Sequence, residues 1–174
     1  DQAMYHFISG YTAKVAGTER GITDPKATFS PCFGGPFLTQ HPLRYAELLK
    51  KKIEQHQSKV YMVNTGWIGG SASSGAKRIS IQNTRAMITA ILDGSIEKSE
   101  FETEPVFGLA YPNSISGIID TGILNPRSAW GNTEKYDKQA AELAELFIEN
   151  FNIYGDKVSY LATAGPLTQN EISI

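Results

Sequence analysis

Residues 64–84 read NTGWIGGSASSGAKRISIQNT, and no other stretch so limits what the chain can become. The β-prone run Val60-Tyr61-Met62-Val63 enters it, and a helical pattern over 84–92 leaves it. Between them stand four glycines (Gly66, Gly69, Gly70, Gly75) and three serines (Ser71, Ser73, Ser74), closing on Lys77-Arg78-Ile79. A strand that opens through glycines into a helix start is a layout for nucleotide sites. Glycine lets backbone approach a ligand closely, and the first helical turn offers unpaired N–H groups and positive dipole. The same composition also makes a flexible surface loop, and the loop alone leaves both readings open. Gly70 to Lys77 nearly spells G-x-x-x-x-G-K-[ST]. The lysine falls one place late, however, and Arg78 stands where a metal-binding hydroxyl belongs. That motif works by register, so no phosphate-binding loop is read here.

A chain of 174 residues with 41% hydrophobic content can build one domain around a sizeable core. Its net charge of -2 supplies no basic surface for nucleic acid. No apolar run reaches membrane-spanning length, and no N-terminal signal pattern is visible. The one cysteine, Cys32, excludes an intramolecular disulfide and suits a reducing cytosol. It reads as a small core residue beside Phe33 rather than a nucleophile. His6, His41 and His56 are too scattered for spacing to imply a metal set. There is no G-x-S-x-G, no H-E-x-x-H and no internal repeat.

Met4-Tyr5-His6-Phe7-Ile8 is β-prone and is expected to form a strand. A core strand beginning at the fourth residue is abrupt and points to something missing upstream. Residues 9–25 carry three glycines and scattered charges, a composition that fits a functional lid or a solvated loop. Residues 26–37 continue irregular, with Phe33 and Phe37 expected to pin them to a core. Pro42 opens a helix whose stripe is Tyr45, Leu48, Leu49 and Ile53, ending near Gln55 or His56. Lys50, Lys51 and Lys52 read as its solvated face. Residues 59–63 are a second strand candidate.

Ser80 is the expected N-cap of the next helix. Met87, Ile88, Ile91 and Leu92 should face its core, and Asp93-Gly94 should stop it. Residues 105–111 are a third strand candidate, and 124–127 a turn. Asn132 or Thr133 caps the longest helix, 134–154, with Tyr136, Ala140, Leu143, Phe147 and Phe151 as its buried stripe. The tail from Gly155 should be short and loosely held. Strands alternate with helices, so the expected class is α/β. Three strands are thin for a free-standing sheet, and partner strands are expected elsewhere in a longer protein.

Several segments, taken in order, resemble one family. They are Met4-Tyr5-His6-Phe7 with Ser9-Gly10-Tyr11-Thr12-Ala13-Lys14, and Ala16-Gly17-Thr18-Glu19-Arg20-Gly21-Ile22. Phe33-Gly34 to Phe37 with His41-Pro42, and Asn64-Thr65-Gly66-Trp67, come next. Arg78-Ile79-Ser80-Ile81 with Thr84-Arg85-Ala86, then Leu124-Asn125-Pro126-Arg127 and residues 146–151, complete the set. Their order and rough spacing resemble the C-terminal part of ATP-dependent phosphoenolpyruvate carboxykinase. The resemblance covers nearly the whole chain but only about the last third of such an enzyme.

The resemblance implies a fold: residues 1–174 as the ATP-binding, lid-bearing C-terminal domain fragment of a longer enzyme, a mixed sheet with flanking helices. It implies conversion of oxaloacetate and ATP to phosphoenolpyruvate, ADP and CO₂ in gluconeogenesis, in the cytoplasm, by a monomeric enzyme that uses Mg²⁺ and Mn²⁺. Arg78, Ile79 and Thr84 match family positions that contact the adenosine part of ATP. A guanidinium can stack on adenine, an isoleucine can wall it, and a hydroxyl at a helix start can hydrogen-bond it. Lys14, Thr18, Glu19 and Arg20 fall in the stretch that resembles the lid, whose closing would exclude water. Residues 67–78 are longer than the family's usual Gly-rich turn. The phosphate-binding loop, the metal ligands, the oxaloacetate contacts and any catalytic residue lie upstream in the full enzyme, so the chain alone is expected to be inactive. The competing expectation is a non-catalytic domain that folds independently and binds nucleotide weakly or packs against a partner.

Overall fold

Met4, Tyr5 and Ile8 recur at helical rather than strand spacing, and Gly10 follows where a left-handed cap belongs. The computed structural model describes residues 1–14, 26–71, 74–168 and 171. In it these residues form helix α1 (Gln2–Ser9), not the strand expected over 4–8. Gly10 takes φ 57, and its N–H donates to the His6 carbonyl at 2.9 Å. The three apolar side chains are at most 1% exposed. Helical period and cap therefore outweigh β-propensity here, and the premise of an abrupt first strand falls with it.

The chain divides into two units, and the division falls inside its longest helix. One holds Asp1–Val60 with Leu143–Glu171. Here β1 (Tyr11–Lys14) pairs antiparallel with β2 (Lys26–Phe29), Tyr11 opposite Phe29 and Lys14 opposite Lys26. Parts of the two segments expected to be irregular are thus a ladder, because their Tyr, Thr and Phe residues find partners in each other. Two 3₁₀ turns follow, Pro31–Phe33 and Gly35–Phe37. They leave Phe33 61% and Phe37 86% exposed, so neither pins the segment to a core as expected. Cys32 is half-buried at φ 54, and burial pushes its thiol up to about 11.

Helix α2 (Pro42–His56) begins and ends where the sequence says. His41 caps it, its Nδ1 accepting the Leu43 N–H at 3.2 Å. The inner face is centred on Ala46, which leaves Leu48 47% exposed. Helix α5 (Thr133–Asn152) is capped by Asn132, whose Oδ1 accepts the Lys135 N–H at 2.9 Å. Its Phe147 and Phe151 are 3% exposed and meet a set of rings. Tyr5 stacks on Phe151 at 4.2 Å between centroids, while Tyr11 and Phe29 reach Phe147 at 5.1 and 5.2 Å. Over residues 156–165 the tail is not loose. Asp156–Ala164 is a 3₁₀ helix whose Val158 and Leu161, one 3₁₀ turn apart, are fully buried. Gly165 lies so close to Tyr5 that an added Cβ would stand 2.4 Å from its Cζ.

The other unit contains Tyr61–Glu142. Helix α3 (Ile81–Leu92) ends at Asp93, with Gly94 at φ 73. Ala90, Ile96, Ile115, Ile118 and Leu124 form its core cluster, with Met87 and Ile91 against it. Ile88 and Leu92 were expected inside but are 41% and 82% exposed. The small Ala90 takes the inner position instead.

Residues 105–111 are not one strand. β5 (Phe101–Thr103) and β6 (Ala110–Pro112) form a hairpin, and Pro105 to Gly108 are its turn. Glu104 makes that turn. Its buried carboxylate accepts the N–H groups of Val106 at 3.1 Å and Phe107 at 2.6 Å, and the Tyr136 hydroxyl at 3.2 Å. Burial, with that carboxylate beside it, pushes the Tyr136 phenol up.

Short α4 (Pro126–Ala129) follows, capped by Asn125. Its Arg127 holds Asp137 of α5 through two hydrogen bonds of 2.7 Å. Among the described residues the sheets are three two-stranded antiparallel hairpins, so the α/β class stands and the mixed sheet does not. Residues 59–63 join no ladder, because a β-prone run becomes a strand only beside a partner.

Gly10→Ala should cost about 3 kcal/mol or more, since its Cβ would stand 1.7 Å from the Ser30 carbonyl oxygen in a left-handed backbone. Gly131→Ala has the same backbone strain (φ +66) but nothing within 4 Å, and should cost only about 1–2 kcal/mol. Urea unfolding of the two variants checks the contrast. Hydrogen bonds from Arg127 hold the Asp137 carboxyl below the usual carboxylate range. Their stabilisation is therefore present above the unfolded-state value, about 3.9, and is lost as pH falls through the lower native value. Asp137→Asn should lower the urea midpoint at pH 7, and the gap to the parent should close below about pH 4.

Candidate functional site

The Gly/Ser stretch is a hairpin. β3 (Trp67–Ile68) pairs antiparallel with β4 (Lys77–Arg78), Trp67 opposite Arg78 and Ile68 opposite Lys77. Glycines shape its tip: Gly69 takes φ 76 and Gly75 φ 79. At Gly69 a Cβ would come 2.8 Å from the Ala129 carbonyl oxygen, so the close approach also requires glycine. Beyond the ladder the Ile79 N–H donates to the Gly66 carbonyl at 2.9 Å. The Gly66 N–H is held in turn by Asn64 Oδ1 at 2.8 Å. The two ends of 67–78 are thus paired, and the register of Arg78 is set by that pairing.

Arg78 is exposed, yet its guanidinium is placed. Its Cζ lies 5.3 Å from the centre of the Trp67 ring, and its Nη2 donates to the Thr65 carbonyl at 3.2 Å. Ser80 then caps α3, its Oγ accepting the Asn83 N–H at 3.1 Å. Thr84 lies in the first turn, half-buried, its N–H donating to the Ser80 carbonyl at 2.9 Å. Ile79 is half-buried between strand and cap. The structure therefore sets Arg78, Ile79 and Thr84 on consecutive elements, at the positive end of a helix dipole. Lys77 and Arg85 are exposed cations of the same segment.

The other expected residues are not brought to this hairpin by anything described. Lys14 ends β1, in the unit that does not contain Arg78. Thr18, Glu19 and Arg20 lie outside the described residues. Trp67, quoted in the sequence only within a matched motif, is the residue that the structure sets opposite Arg78. Its signal was there: short β-prone ends, Trp-Ile and Lys-Arg-Ile, bracketing a glycine-rich tip.

A separate cavity of about 120 Å³ is lined by residues including Ala90, Lys98, Ser99 and Ile115. It is well below the roughly 300–1,000 Å³ of small-molecule pockets. Among the described residues no three His, Cys, Asp or Glu side chains gather as a metal set would require, so nothing described here fits a divalent ion.

Residues 1–121 match the family model for phosphoenolpyruvate carboxykinase. The chain belongs to the phosphoenolpyruvate carboxykinase family. Relatives named phosphoenolpyruvate carboxykinase (ATP) are similar to it along most of its length. That of Leptospira biflexa is 54% identical over 169 residues, 96% of this chain and 32% of its own. That of Campylobacter jejuni is 57% identical over 156 residues, 90% of this chain and 29% of its own. A yeast relative, from Candida glabrata, is 49% identical over 168 residues, 95% of this chain and 31% of its own. The chain thus spans about a third of the length of the curated carboxykinases it matches.

Ser80→Ala should weaken the start of α3 by about 1 kcal/mol. Amide exchange checks this: the Asn83 N–H, which loses its acceptor, should exchange faster, while amides in α2 should not change.

Proposed function

We propose that this chain is the C-terminal part of an ATP-dependent phosphoenolpyruvate carboxykinase and forms the adenosine end of its nucleotide site. One observation carries the reading: in a member of this family, a planar cation is held at a fixed place just before the first turn of α3. Arg78 lies over the adenine ring, Ile79 walls it, and the Thr84 hydroxyl hydrogen-bonds the nucleoside. The β1–β2 hairpin carries the lid, with Lys14, Thr18, Glu19 and Arg20 on it or beyond its end.

In the reaction, oxaloacetate loses CO₂ and the enolate oxygen left behind takes the γ-phosphoryl group of ATP, releasing ADP. This chain's residues bind and orient the nucleotide, which shortens the search for an in-line geometry. The lid excludes water from the enolate, which would otherwise be protonated to pyruvate. The phosphate cradle, the Mg²⁺ and Mn²⁺ ligands and the oxaloacetate contacts belong, in this reading, to the remainder of a longer chain, and this piece alone is inactive. A cytoplasmic, gluconeogenic role goes with that assignment.

The test uses a full-length carboxykinase carrying this segment. Arg78→Ala should raise KM for ATP about tenfold, the loss of one stacked cation at a partly desolvated site, and leave KM for oxaloacetate unchanged. An unchanged KM for ATP removes Arg78 from the site.

A further inference from the structure

The hairpin that places Arg78 also shows what holds it there. An arginine side chain at an exposed position samples many rotamers, and a ligand that needs one of them must order it on binding. Here the guanidinium is already constrained on two sides. Its Cζ lies over the indole of Trp67, its cross-strand partner, 5.3 Å from the ring centre, and the Thr65 carbonyl takes an N–H from Nη2 at 3.2 Å. The backbone beneath is fixed by the ladder and by the Ile79–Gly66 hydrogen bond, and Gly66 is held in turn by Asn64.

A guanidinium has two faces. Held beside the indole in one place, it can offer a face to a planar ring without first being ordered. We propose that Trp67 is a positioning residue for nucleotide binding: it pre-orders Arg78 so that the guanidinium meets the purine of ATP. The inference rests on the adenosine reading of Arg78 and adds to it a residue that touches no substrate.

A double-mutant cycle in the full-length carboxykinase tests it, using Arg78→Ala, Trp67→Val and the pair. Valine keeps the strand preference while removing the aromatic face. Trp67→Val should raise KM for ATP about 3- to 10-fold, with kcat and KM for oxaloacetate within about twofold of the parent. Trp67→Tyr, which restores a π-face, should recover most of the loss. In the Arg78→Ala background, Trp67→Val should add nothing. If it adds in full, Trp67 acts independently of Arg78 and the inference is overturned while the adenosine reading stands. An unchanged KM for ATP in Arg78→Ala overturns both. Parallel changes in kcat, KM for oxaloacetate and melting temperature assign Trp67 to folding and also overturn it. Should Trp67→Val lose its thermal transition, Trp67→Leu reads the same cycle.

Discussion

Phe147 is the ring on which the larger unit closes. It sits on the inner face of α5, and Tyr5, Tyr11 and Phe29 all reach it, at centroid distances of 6.4, 5.1 and 5.2 Å. A helix near the start of the chain and both strands of its first hairpin are thereby fixed to a helix that ends beyond residue 150. Edge and offset ring contacts of this kind contribute about 0.5–1.5 kcal/mol each beyond the area they bury. They also prefer particular geometries, so they orient the β1–β2 ladder as well as hold it.

A different device governs the unit that holds the hairpin with Arg78. There, polar side chains tie down loop backbone: Glu104 in the β5–β6 turn, Asn125 before α4, Ser80 before α3, Asn64 before β3. Each satisfies an N–H that its turn or helix start leaves without a backbone partner. Glu104 bears the heaviest demand, because a carboxylate only 6% exposed must be met by several donors. Two amides and the Tyr136 hydroxyl meet it, and the last of these ties the turn to α5.

Helix limits were legible because their signals are local. Pro42, Ser80, Asp93-Gly94 and Asn132 act within one turn of themselves, and each marks a boundary in the structure. What failed depended on distant partners or on side-chain chemistry that no period reveals. β-Propensity suggested a strand at 4–8, where rings from α5 and the Gly10 cap support a helix. A hydrophobic run at 105–111 hid a turn that a carboxylate folds. The tail looked short and loosely held, yet Gly165 packs tightly on Tyr5. Arg78, Ile79 and Thr84 were named as site candidates through ordered resemblance, and their role at a nucleotide is a proposal. Trp67 was passed over because cross-strand opposition exists only after the glycine-rich stretch is recognised as a hairpin with a definite register.

That hairpin separates two things usually coupled in a loop, its length and the position of its far end. Arg78 is located by Trp67 opposite it and by the bond from Ile79 to Gly66, not by counting residues through the tip. Gly75 at the tip has open space around it, with nothing within 4 Å of an added Cβ. Residues can therefore be gained or lost at the tip at a loop-closure cost of only about 0.6 kcal/mol per doubling while the arginine stays in place. Length in this stretch is free to drift, and the tip is a natural place to splice in a reporter peptide without disturbing the Trp67–Arg78 pair.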